Sequence, residues 1–495
     1  MKQSFKIEDP VIDKLKNIST KSGTEVYIIG GYVRDNVLGI NSSDIDIMVM
    51  GDAISFAETV AKEFRTDLKA VYKNFKTALL LIPTGEKKTN INEISEYDLI
   101  EKNNILKIEF ASARKESYSE NSRNPIVETA TLMEDLSRRD FTVNALAVKL
   151  TGNDGNTYEV IDEFNGLNDL EKKLLRTPLD PLKTFSDDPL RIMRGIRLSS
   201  KLGFTIEAET FEAMKVMAPR LISNKVVSKE RITNEFLQIL MSEKPSKGLD
   251  LLYKAGVMKL IFPEFANLAG VEQRKDYHHK DVFYHTLQVV DNIALKTDKL
   301  WLRYAALLHD IGKPPTKRFV EGTGWTFHGH EDYGARMLKK IFAEQKLPFT
   351  VMPYVEKLVR MHLRPIPLAK DDVTDSAIRR LAAEAGEELE DLLTLCRADI
   401  TTKNYDRQSK YMKNYEIVEK KIVDVQEKDQ LRNFQSPVRG EEIMEYFKIP
   451  PSRQVGVIKK KIEDAILDGL IPNEYEAAKK FMVDMVPQSD IGKQG

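Results

Sequence analysis

Apolar positions along the chain separate a mixed first part from a helical remainder. Within the first 150 residues, β-like runs with alternating or continuous apolar positions cover residues 24–29, 44–49, 78–82 and 105–110. From about residue 165 the apolar residues recur at helical spacing, and we expect almost wholly helical structure there. The pattern predicts an α+β protein in which a small head with a mixed or antiparallel sheet precedes largely all-α regions.

Two local signals predict where helices begin and end. The run Ser186-Asp187-Asp188-Pro189 is typical of a helix start, with a capping serine, acidic residues in the first turn and an early proline. We expect a helix to begin there and to continue through LRIMRGIRLSSKLGF. Residues 436–440 contain a proline and a glycine, and they predict a break between charged helical segments.

Length and composition describe a folded protein of several domains without a charge bias. The chain has 495 residues, which corresponds to about three or four domains of ordinary size. Its 75 Lys and Arg residues balance 76 Asp and Glu residues. Any contact with RNA therefore has to come from local basic patches.

The cysteine count and the first residues bear on the cellular compartment. Cys396 is the single cysteine, so an intramolecular disulfide is excluded and no thiolate cluster can hold zinc. The start of the chain, MKQSFKIEDPVIDKLK, is charged where a signal peptide needs an apolar run. No segment approaches the roughly 18 apolar residues of a membrane helix. We expect a cytoplasmic protein without membrane insertion.

Two carboxylates stand one residue apart in the predicted strand DIDIMV. Because strand side chains alternate between faces, Asp44 and Asp46 point the same way while Ile45 and Ile47 pack into the core beneath. Oxygen ligands of this kind suit Mg²⁺, and a pair of ions can activate a hydroxyl and stabilise a departing phosphate oxygen. Glu109, in the strand ILKIEF, could supply a third carboxylate. A solvated strand face is the alternative interpretation of such a pair on its own.

A glycine pair precedes these carboxylates. Gly30 and Gly31 end one predicted strand and open a helix, so unhindered backbone N–H groups can approach phosphate oxygens, and Arg34 follows one turn later. The sequence GxxxxGK[ST] does not occur, so this turn is not a Walker loop.

All seven histidines fall between residues 278 and 362. Neutral imidazoles and carboxylates are the usual ligands of catalytic transition-metal sites. Six residues with these side chains are candidate metal ligands, namely His285, His309, Asp310, His330, His362 and Asp399. A structural role is the alternative for any one histidine taken alone.

Read together, four segments resemble the motifs of class II tRNA nucleotidyltransferases and bacterial poly(A) polymerases, in the order of that family. They are GGYVRDNVLGINSSDIDIMV, RRDFTVNALAV, FSDDPLRIMRGIRLSSKLGF and VSKERITNEFLQIL. The resemblance implies that Asp44 and Asp46 hold two Mg²⁺ ions and that Gly30, Gly31 and Arg34 grip the triphosphate. It further implies that Arg139 and Asp140 contact the ribose, with Asn144 supporting their loop.

The same resemblance assigns base selection to protein side chains. Asp188 would accept a hydrogen bond from the amine of cytosine or adenine, and Arg191 would donate to the adjacent ring nitrogen. Uracil and guanine would leave both unpaired. On the residues alone, Asp188 could equally cap its helix and Arg191 be a surface charge. Arg194 would meet the triphosphate or RNA. The family's Glu-Asp pair is here Asp187-Asp188, which leaves the role of Asp187 in doubt.

The histidine-rich region resembles HD-type phosphohydrolases through HTLQVVDN, LLHDIGKP, FHGHEDYGA and RADI. The resemblance implies that the six candidate ligands bind a divalent transition metal or Mg²⁺, with His330 and His362 added as in two-metal members. His278, His279 and His328 match no ligand position, and we expect them at the surface.

These observations predict four domains and a function. We expect a nucleotidyltransferase head over 1–160, a helical neck and body for base selection and RNA binding over 161–270, an HD domain over 271–400, and a helical tail over 401–495. The expected activity is addition of C, C and A to tRNA from CTP and ATP, with an accessory phosphohydrolase activity. Alternatives are poly(A), CC-only or A-only addition and, from another class, an HD phosphohydrolase with an RNA-binding head. Lys459, Lys460 and Lys461 would touch RNA or form a solvated helix face.

Overall fold

The structure is a computed structural model of the chain. It describes residues 4–83, 105–117, 126–152, 155–223, 226–271, 281–370, 373–402, 404–433, 436–467 and 470–485. The chain divides into two compact units, one formed by Met1–Pro365 with Ala385–Met412 and the other by Ile366–Glu384 with Lys413–Gly495. The four-domain division and its boundaries stay a prediction.

The described residues of the first part of the chain form ten strands. They are β1 (Ser4–Lys6), β2 (Val26–Ile29), β3 (Asp44–Val49), β4 (Ala70–Tyr72), β5 (Thr77–Pro83), β6 (Ile105–Ser112), β7 (Arg114–Ser117), β8 (Ile126–Thr129), β9 (Leu146–Lys149) and β10 (Thr157–Asp162). Eight of them form one sheet in the spatial order β1-β10-β9-β2-β3-β6-β5-β4. Strands β3 and β6 are parallel, whereas β2 pairs antiparallel with both β3 and β9. The expected mixed sheet is confirmed.

Within the ranges that the structure describes, five helices accompany the sheet. They are α1 (Pro10–Ser22), α2 (Gly31–Val37), α3 (Ala53–Phe64), α4 (Leu132–Ser137) and α5 (Gly166–Glu171). Helix α1 shows why these segments fold locally: the Asp9 carboxylate accepts from the Val11 N–H, a proline occupies the first turn, and Gly23 ends the helix at a φ of 66°. Apolar side chains from β2, β3, α4 and β9 close a core beneath the sheet, including Tyr27, Ile29, Met48, Leu136 and Ala147.

The predicted helix start at Ser186 is wrong, because two helices meet there. Helix α6 (Pro181–Asp187) is capped at its start by Asp180, whose side chain accepts a hydrogen bond from Lys183 N at 2.9 Å. Pro189 disfavours helical backbone at the residue before it, and Asp188 is extended at φ −139° and ψ 98°. Helix α7 (Leu190–Leu202) then begins, and Asp188 Oδ1 accepts from Leu190 N at 3.1 Å. The capping side chain is therefore Asp188.

The remainder is mainly helical, as expected, in both units. Its helices are α8 (Ala208–Met217), α9 (Lys229–Leu240), α10 (Pro245–Lys254), α11 (Val257–Ile261), α12 (Pro263–Ala266), α13 (Val282–Ala294), α14 (Leu300–Leu308), α15 (Lys313–Thr316), α16 (His330–Glu344), α17 (Met352–Met361), α18 (Asp375–Ala385), α19 (Leu389–Ala398), α20 (Tyr405–Asn433), α21 (Gly440–Phe447), α22 (Arg453–Leu467) and α23 (Tyr475–Met485). Two strand pairs interrupt them, β11 (Leu174–Leu175) with β12 (Thr205–Ile206), and the hairpin of β13 (Arg318–Val320) and β14 (Gly324–Thr326). Strands of two or three residues carry too little periodicity for a sequence pattern to show them.

The second unit has its own apolar core around α21, α22 and α23, with members such as Val438, Ile443, Ile462 and Met482. The predicted break at 436–440 is confirmed, since α21 begins at Gly440 after α20 ends at Asn433. Lys460 and Lys461 are exposed on α22, and Lys459 is half-buried. Among the helices described, none combines the length and the apolar character that a crossing of a lipid bilayer requires.

Candidate active site and candidate metal centre

The head carries its acidic residues on one face of two parallel strands. In the register of β3 with β6, Asp44 lies opposite Lys107 and Asp46 opposite Glu109. Ile45 between the aspartates is completely buried, while Asp44 is exposed and Asp46 half-buried. The alternation expected from the sequence is therefore present, and Glu109 lies beside the aspartate pair on the neighbouring strand.

Lys107 joins this acidic face, and sequence reasoning missed it. Its Nζ lies 3.2 Å from Asp44 Oδ1 and 3.6 Å from Glu109 Oε2. Although burial disfavours its charged form, these carboxylates hold the pKa of Lys107 above its usual range. The signal was available, because Lys107 and Glu109 are two residues apart in a strand and so share a face.

The acidic face favours a bound cation. Burial, and then the charges of Asp44 and Glu109, raise the pKa of Asp46 to about 6. Like charges held together in this way are stabilised by a positive charge among them, and carboxylate oxygens are hard ligands suited to Mg²⁺. The residues therefore fit a magnesium site, with Lys107 supplying part of the positive charge.

The glycine turn brings backbone against the same face. Gly30 ends β2 and precedes α2 with a φ of 74° and a ψ of −132°. A Cβ at Gly30 would lie 2.9 Å from Arg139 Nη1 and 3.2 Å from Asp46 Oδ2, both closer than ordinary contacts. The backbone conformation at this position favours glycine, and a Cβ would in addition displace the ends of the Arg139 and Asp46 side chains.

Arg34 has surroundings that differ from the expected phosphate grip. It is only 4% exposed. Its Nε donates to Asp35 Oδ1 at 2.7 Å and its Nη1 to Asn144 Oδ1 at 2.5 Å. Asn144 Nδ2 in turn donates to Asp140 Oδ1 at 3.0 Å. The geometry therefore links Arg34, through Asn144, to the RRD segment, residues 138–140. Direct contact of Arg34 with phosphate stays a prediction.

Asp140 connects this segment to α7. Its Oδ2 lies 2.8 Å from Arg194 Nε. Burial alone would raise the pKa of Asp140, but Arg194, Asn144 and Arg191 outweigh that effect and lower it. Arg191 is 8% exposed, and its Nη1 donates to the Thr184 carbonyl. Arg191 is therefore not the surface charge that the residues alone allowed.

Asp135, on α4, orients both arginines of the RRD segment and was not predicted. Its Oδ1 accepts from Arg138 Nη2 at 2.6 Å, and its Oδ2 from Arg139 Nη2 at 3.5 Å. Despite burial, which would raise it, these guanidinium groups lower the pKa of Asp135. Spacings of three and four residues on a helical turn are the sequence signal for such pairs.

In the helical region, the six predicted metal ligands lie in helices or directly after them and come close together. His285 lies in α13, His309 and Asp310 follow α14, His330 opens α16, His362 follows α17 and Asp399 follows α19. Two groups have ligand atoms within 4.8 Å of one another, His285 with His309 and Asp399, and Asp310 with His330 and His362. Asp310 joins them, since its Oδ2 is 3.2 Å from His309 Nε2 and its Oδ1 is 3.3 Å from His330 Nε2.

Three of these histidines are oriented in the same way. Their Nδ1 atoms lie 2.7–2.8 Å from the carbonyl oxygen three residues earlier, in His309, His330 and His362. This contact holds a proton on Nδ1 and directs Nε2 into the cluster, the orientation of a metal-binding histidine. The Nε2 atoms of these three are buried without a hydrogen-bond partner, which is costly unless a ligand is bound. The set therefore fits a metal centre.

His285 is oriented differently, and its partner was not predicted. Its Nδ1 lies 2.9 Å from the Thr401 hydroxyl, two residues beyond Asp399. His285 Nε2 lies 2.9 Å from Asp399 Oδ1. A side chain after Asp399 thus positions a histidine that is far away in sequence, which no local pattern can indicate.

Neighbouring groups of the cluster shift each other's pKa values. Burial favours the neutral acid, yet His309 and Lys313 hold the pKa of Asp310 well below its usual range. Lys313 Nζ lies 2.7 Å from Asp310 Oδ2. Burial and neighbouring His309 lower the pKa of His362 to about 3, so its imidazole is neutral and able to bind a metal.

A cleft of about 800 Å³ borders the cluster at His285. Polar and basic side chains contribute to its lining, among them Gln288, Asn292, Lys296, Arg397 and Thr402. His328 is exposed, as expected, and His278 and His279 lie outside the described residues.

Comparison with known proteins matches three segments of the chain to known families. Residues 26–176 match the Poly A polymerase head domain, residues 203–268 match the probable RNA and SrmB-binding site of polymerase A, and residues 282–404 match the HD domain. The fold and the sites thus define a protein that joins a poly(A) polymerase head to an HD domain.

Two relatives specify the family. The multifunctional CCA protein of Dechloromonas aromatica is 30% identical over 387 residues, which are 76% of this chain and 84% of that protein. The A-adding tRNA nucleotidyltransferase of Deinococcus radiodurans is 30% identical over 353 residues, 70% of this chain and 78% of that protein. The chain belongs to the tRNA nucleotidyltransferase family that contains the multifunctional CCA proteins.

A solved structure shares the fold. The Bacillus stearothermophilus CCA-adding enzyme in complex with CTP aligns with 96% of this chain and 98% of its own, with a TM-score of 0.55 and 20% identity. At this identity the likeness concerns the fold.

Proposed function

We propose that the protein adds C, C and A in turn to the 3′ end of tRNA, using CTP and ATP and releasing pyrophosphate. The observation that carries the proposal is the pairing of Asp46 with Glu109 in the register of β3 and β6, with Asp44 on the same face. The close approach of Gly30 to Asp46 and Arg139 provides a second support. Membership in the tRNA nucleotidyltransferase family names the substrate class.

Asp44 and Asp46, with Glu109 beside them, would hold Mg²⁺, which lowers the cost of ionising the RNA 3′-hydroxyl and stabilises the departing charge. The hydroxyl oxygen forms a bond to the α-phosphorus, the bond to the bridging oxygen breaks, and pyrophosphate leaves. Lys107 offsets the mutual repulsion of the carboxylates. Arg139 is held by Asp135 at the Gly30 turn, where its guanidinium can contact the nucleotide.

Asp140, Asn144 and Arg34 act together in this proposal. The hydrogen bonds from Arg34 to Asn144 and from Asn144 to Asp140 order the RRD segment. One Asp140 oxygen also pairs with Arg194, which ties the ribose-binding segment to α7. We therefore assign Arg34 and Asn144 as positioning residues, with Asp140 at the ribose.

Base selection is assigned to the junction of α6 and α7. Asp188 is extended there, and Arg191 is buried with its guanidinium directed by the Thr184 carbonyl. A carboxylate acceptor beside a guanidinium donor matches the amine and ring nitrogen of cytosine and adenine. Uracil and guanine would leave the buried Arg191 and the half-buried Asp188 unpaired, so the site would reject them.

The decisive test is incorporation of single nucleotides. A tRNA lacking its last three residues is incubated with CTP, with ATP, or with both. We expect two C residues with CTP alone, and one further A with both, after which addition stops. Long A tails would indicate a poly(A) polymerase, and addition of A only to tRNA ending in CC would match the activity named for the Deinococcus relative. Where Asp44 and Asp46 are replaced, replacement of Asp67, an exposed carboxylate of the head, serves as the matched control.

We propose phosphohydrolase activity for the histidine cluster as a second function. The buried, unpartnered Nε2 atoms of His309, His330 and His362 favour it. The six ligands would hold a divalent transition metal or Mg²⁺, which supplies Lewis acidity toward water and phosphate oxygens. Lys313 would balance the charge of Asp310, and the adjoining cleft gives room for a terminal phosphate. A phosphate left on a tRNA 3′ end would block addition, so its removal is a coherent partner activity.

His309→Ala with Asp310→Ala tests this assignment. We expect loss of phosphate release from RNA ending in a 3′-phosphate, with nucleotide addition retained. The opposite class of function, an HD phosphohydrolase whose head only binds RNA, requires that these substitutions remove the main activity and that Asp44→Asn with Asp46→Asn spare it.

A further inference from the structure

A small hairpin between two metal ligands exposes a pair of aromatic rings. In the register of β13 with β14, Phe319 lies opposite Trp325, so both rings project from one face. Their centroids are 5.2 Å apart, and the residues are 53% and 37% exposed. Val320, on the other face, is also exposed. Aromatic rings exposed in this way in a soluble domain usually mark a binding surface.

Both ends of the hairpin are tied to the metal cluster. Before it, Lys313 Nζ contacts Asp310 Oδ2 at 2.7 Å and also lies 5.8 Å from the ring centroid of Phe327. After it, the Phe327 carbonyl oxygen lies 2.8 Å from His330 Nδ1. The hairpin therefore leaves the cluster after one candidate ligand and returns at another, so the segments on both sides of it are anchored at the cluster.

The charge around the rings is positive. Lys317 Nζ lies 4.3 Å from the Trp325 ring centroid. Arg318 is exposed at the start of β13. Between residues 313 and 330 the sequence has three cations, Lys313, Lys317 and Arg318, against one carboxylate, Glu321. Aromatic faces flanked by Lys and Arg are the combination that binds single-stranded nucleic acid, because bases stack on the rings while the cations contact phosphates.

We propose that this hairpin is a stacking platform for the single-stranded 3′-terminal bases of RNA and presents the terminal phosphate to the histidine cluster. The proposal rests on the phosphohydrolase function inferred above and adds the surface that would bind the RNA end and distinguish it from a small phosphate ester. A docking site for a protein helix would need a longer apolar groove, whereas this face consists of two rings bordered by cations.

Steady-state kinetics of the full chain test the platform. The substrates are a hexanucleotide RNA ending in a 3′-phosphate and glycerol 2-phosphate, which has no base. In Phe319→Ala with Trp325→Ala we expect KM for the RNA to rise about 10- to 100-fold, the size of the loss of base–aromatic stacking. We expect kcat for RNA and both constants for glycerol 2-phosphate to stay within about twofold. Val320→Ala, on the opposite face, is the matched control.

Two further variants separate loss of stacking from loss of the hairpin. Trp325→Phe with Phe319→Tyr keeps both rings and should keep the KM for RNA near that of the parent protein. An equal rise of KM for both substrates in the alanine variant, or a rise in the ring-retaining variant, would overturn the proposal.

Fluorescence provides a readout that does not depend on hydrolysis. The chain has two tryptophans, so Trp301→Phe leaves Trp325 as the single emitter. In protein treated with a chelator, addition of the hexanucleotide should quench this emission, and glycerol 2-phosphate should not. If neither phosphate ester is hydrolysed but RNA quenches Trp325, the phosphohydrolase assignment fails and the platform stands. Unchanged emission with RNA would refute the platform, and a protein partner would then be the remaining occupant.

Discussion

Gly30→Ala tests the geometry of the head with a single methyl group. The substitution acts in two ways. It places an L side chain at a φ of 74° and a ψ of −132°, a conformation that only glycine adopts readily. It also places a Cβ at 2.9 Å from Arg139 Nη1 and 3.2 Å from Asp46 Oδ2, so the ends of these two side chains, proposed to bind the nucleotide and Mg²⁺, have to move.

The expected magnitudes follow from these two effects. Backbone strain of this kind costs about 1–3 kcal/mol of the free energy of unfolding. Displacement of Asp46 or Arg139 by several tenths of an ångström, up to about 1 Å, lowers the catalytic rate by about 100-fold. Nucleotide addition to tRNA lacking its terminus measures the rate, and urea unfolding measures the stability. Phosphate release by the histidine cluster should be unchanged.

Gly23→Ala is the matched control. Gly23 also has a positive φ, 66°, but a Cβ there meets nothing within 4 Å. We expect a loss of stability of about 1–2 kcal/mol with normal nucleotide addition. Gly30→Ala enzyme with near-normal activity, or equal loss of activity in both variants, would refute the reasoning that the turn is built around Asp46 and Arg139.

Two further predictions concern supporting residues. Although burial would raise it, Arg138 and Arg139 lower the pKa of Asp135 in the folded state, so the stabilisation that Asp135 provides is present at neutral pH and is lost as pH falls below about 4. Asp135→Asn should lower the free energy of unfolding by about 1–3 kcal/mol at pH 7 and make that free energy less dependent on pH in the acid range. An unchanged acid dependence would contradict this. Thr401→Val removes the partner of His285 Nδ1. We expect the metal affinity of the histidine cluster, measured by titration calorimetry, to fall about 10- to 100-fold, with nucleotide addition unchanged. Equal metal affinity in the parent protein and in Thr401→Val would show that Thr401 does not orient His285.

Regular patterns predicted the frame of the head correctly. The alternation of DIDIMV placed Ile45 in the core and the aspartates on the opposite face, because a strand has a period of two. The strands β1, β4, β7, β8, β9 and β10 were not predicted. Strand β10 has alternating burial over Tyr158, Glu159 and Val160, so its pattern was present, whereas β1 is only three residues long.

Site residues that act through other residues were harder to predict. The motifs named Arg139 and Asp140, yet Asp135 and Lys107, which pair with site residues, belong to no quoted motif. Thr401 meets His285 across 116 positions of sequence. Such contacts depend on how helices pack, which local periodicity does not encode. Family motifs singled out six candidate ligands that the structure brings together, because motifs carry packing information that single residues lack.

The start of α7 illustrates how local signals compete. Ser186, the acidic pair and Pro189 all favour a helix start, but Asp180 and Pro181 form an equivalent signal six residues earlier. The earlier signal starts α6, in which Ser186 and Asp187 are the last two residues, so α7 begins only after Pro189.

The cytoplasmic location stays a prediction.

Nucleotide addition by Asp44→Asn with Asp46→Asn tests the central claim most directly. These amides keep the size of the side chains and remove the charges that would hold Mg²⁺. The account predicts that addition of C and A to truncated tRNA falls by at least about 1,000-fold, about 4 kcal/mol in the barrier, while tRNA binding and phosphate release by the histidine cluster persist. A variant that extends tRNA at the parent rate would contradict it.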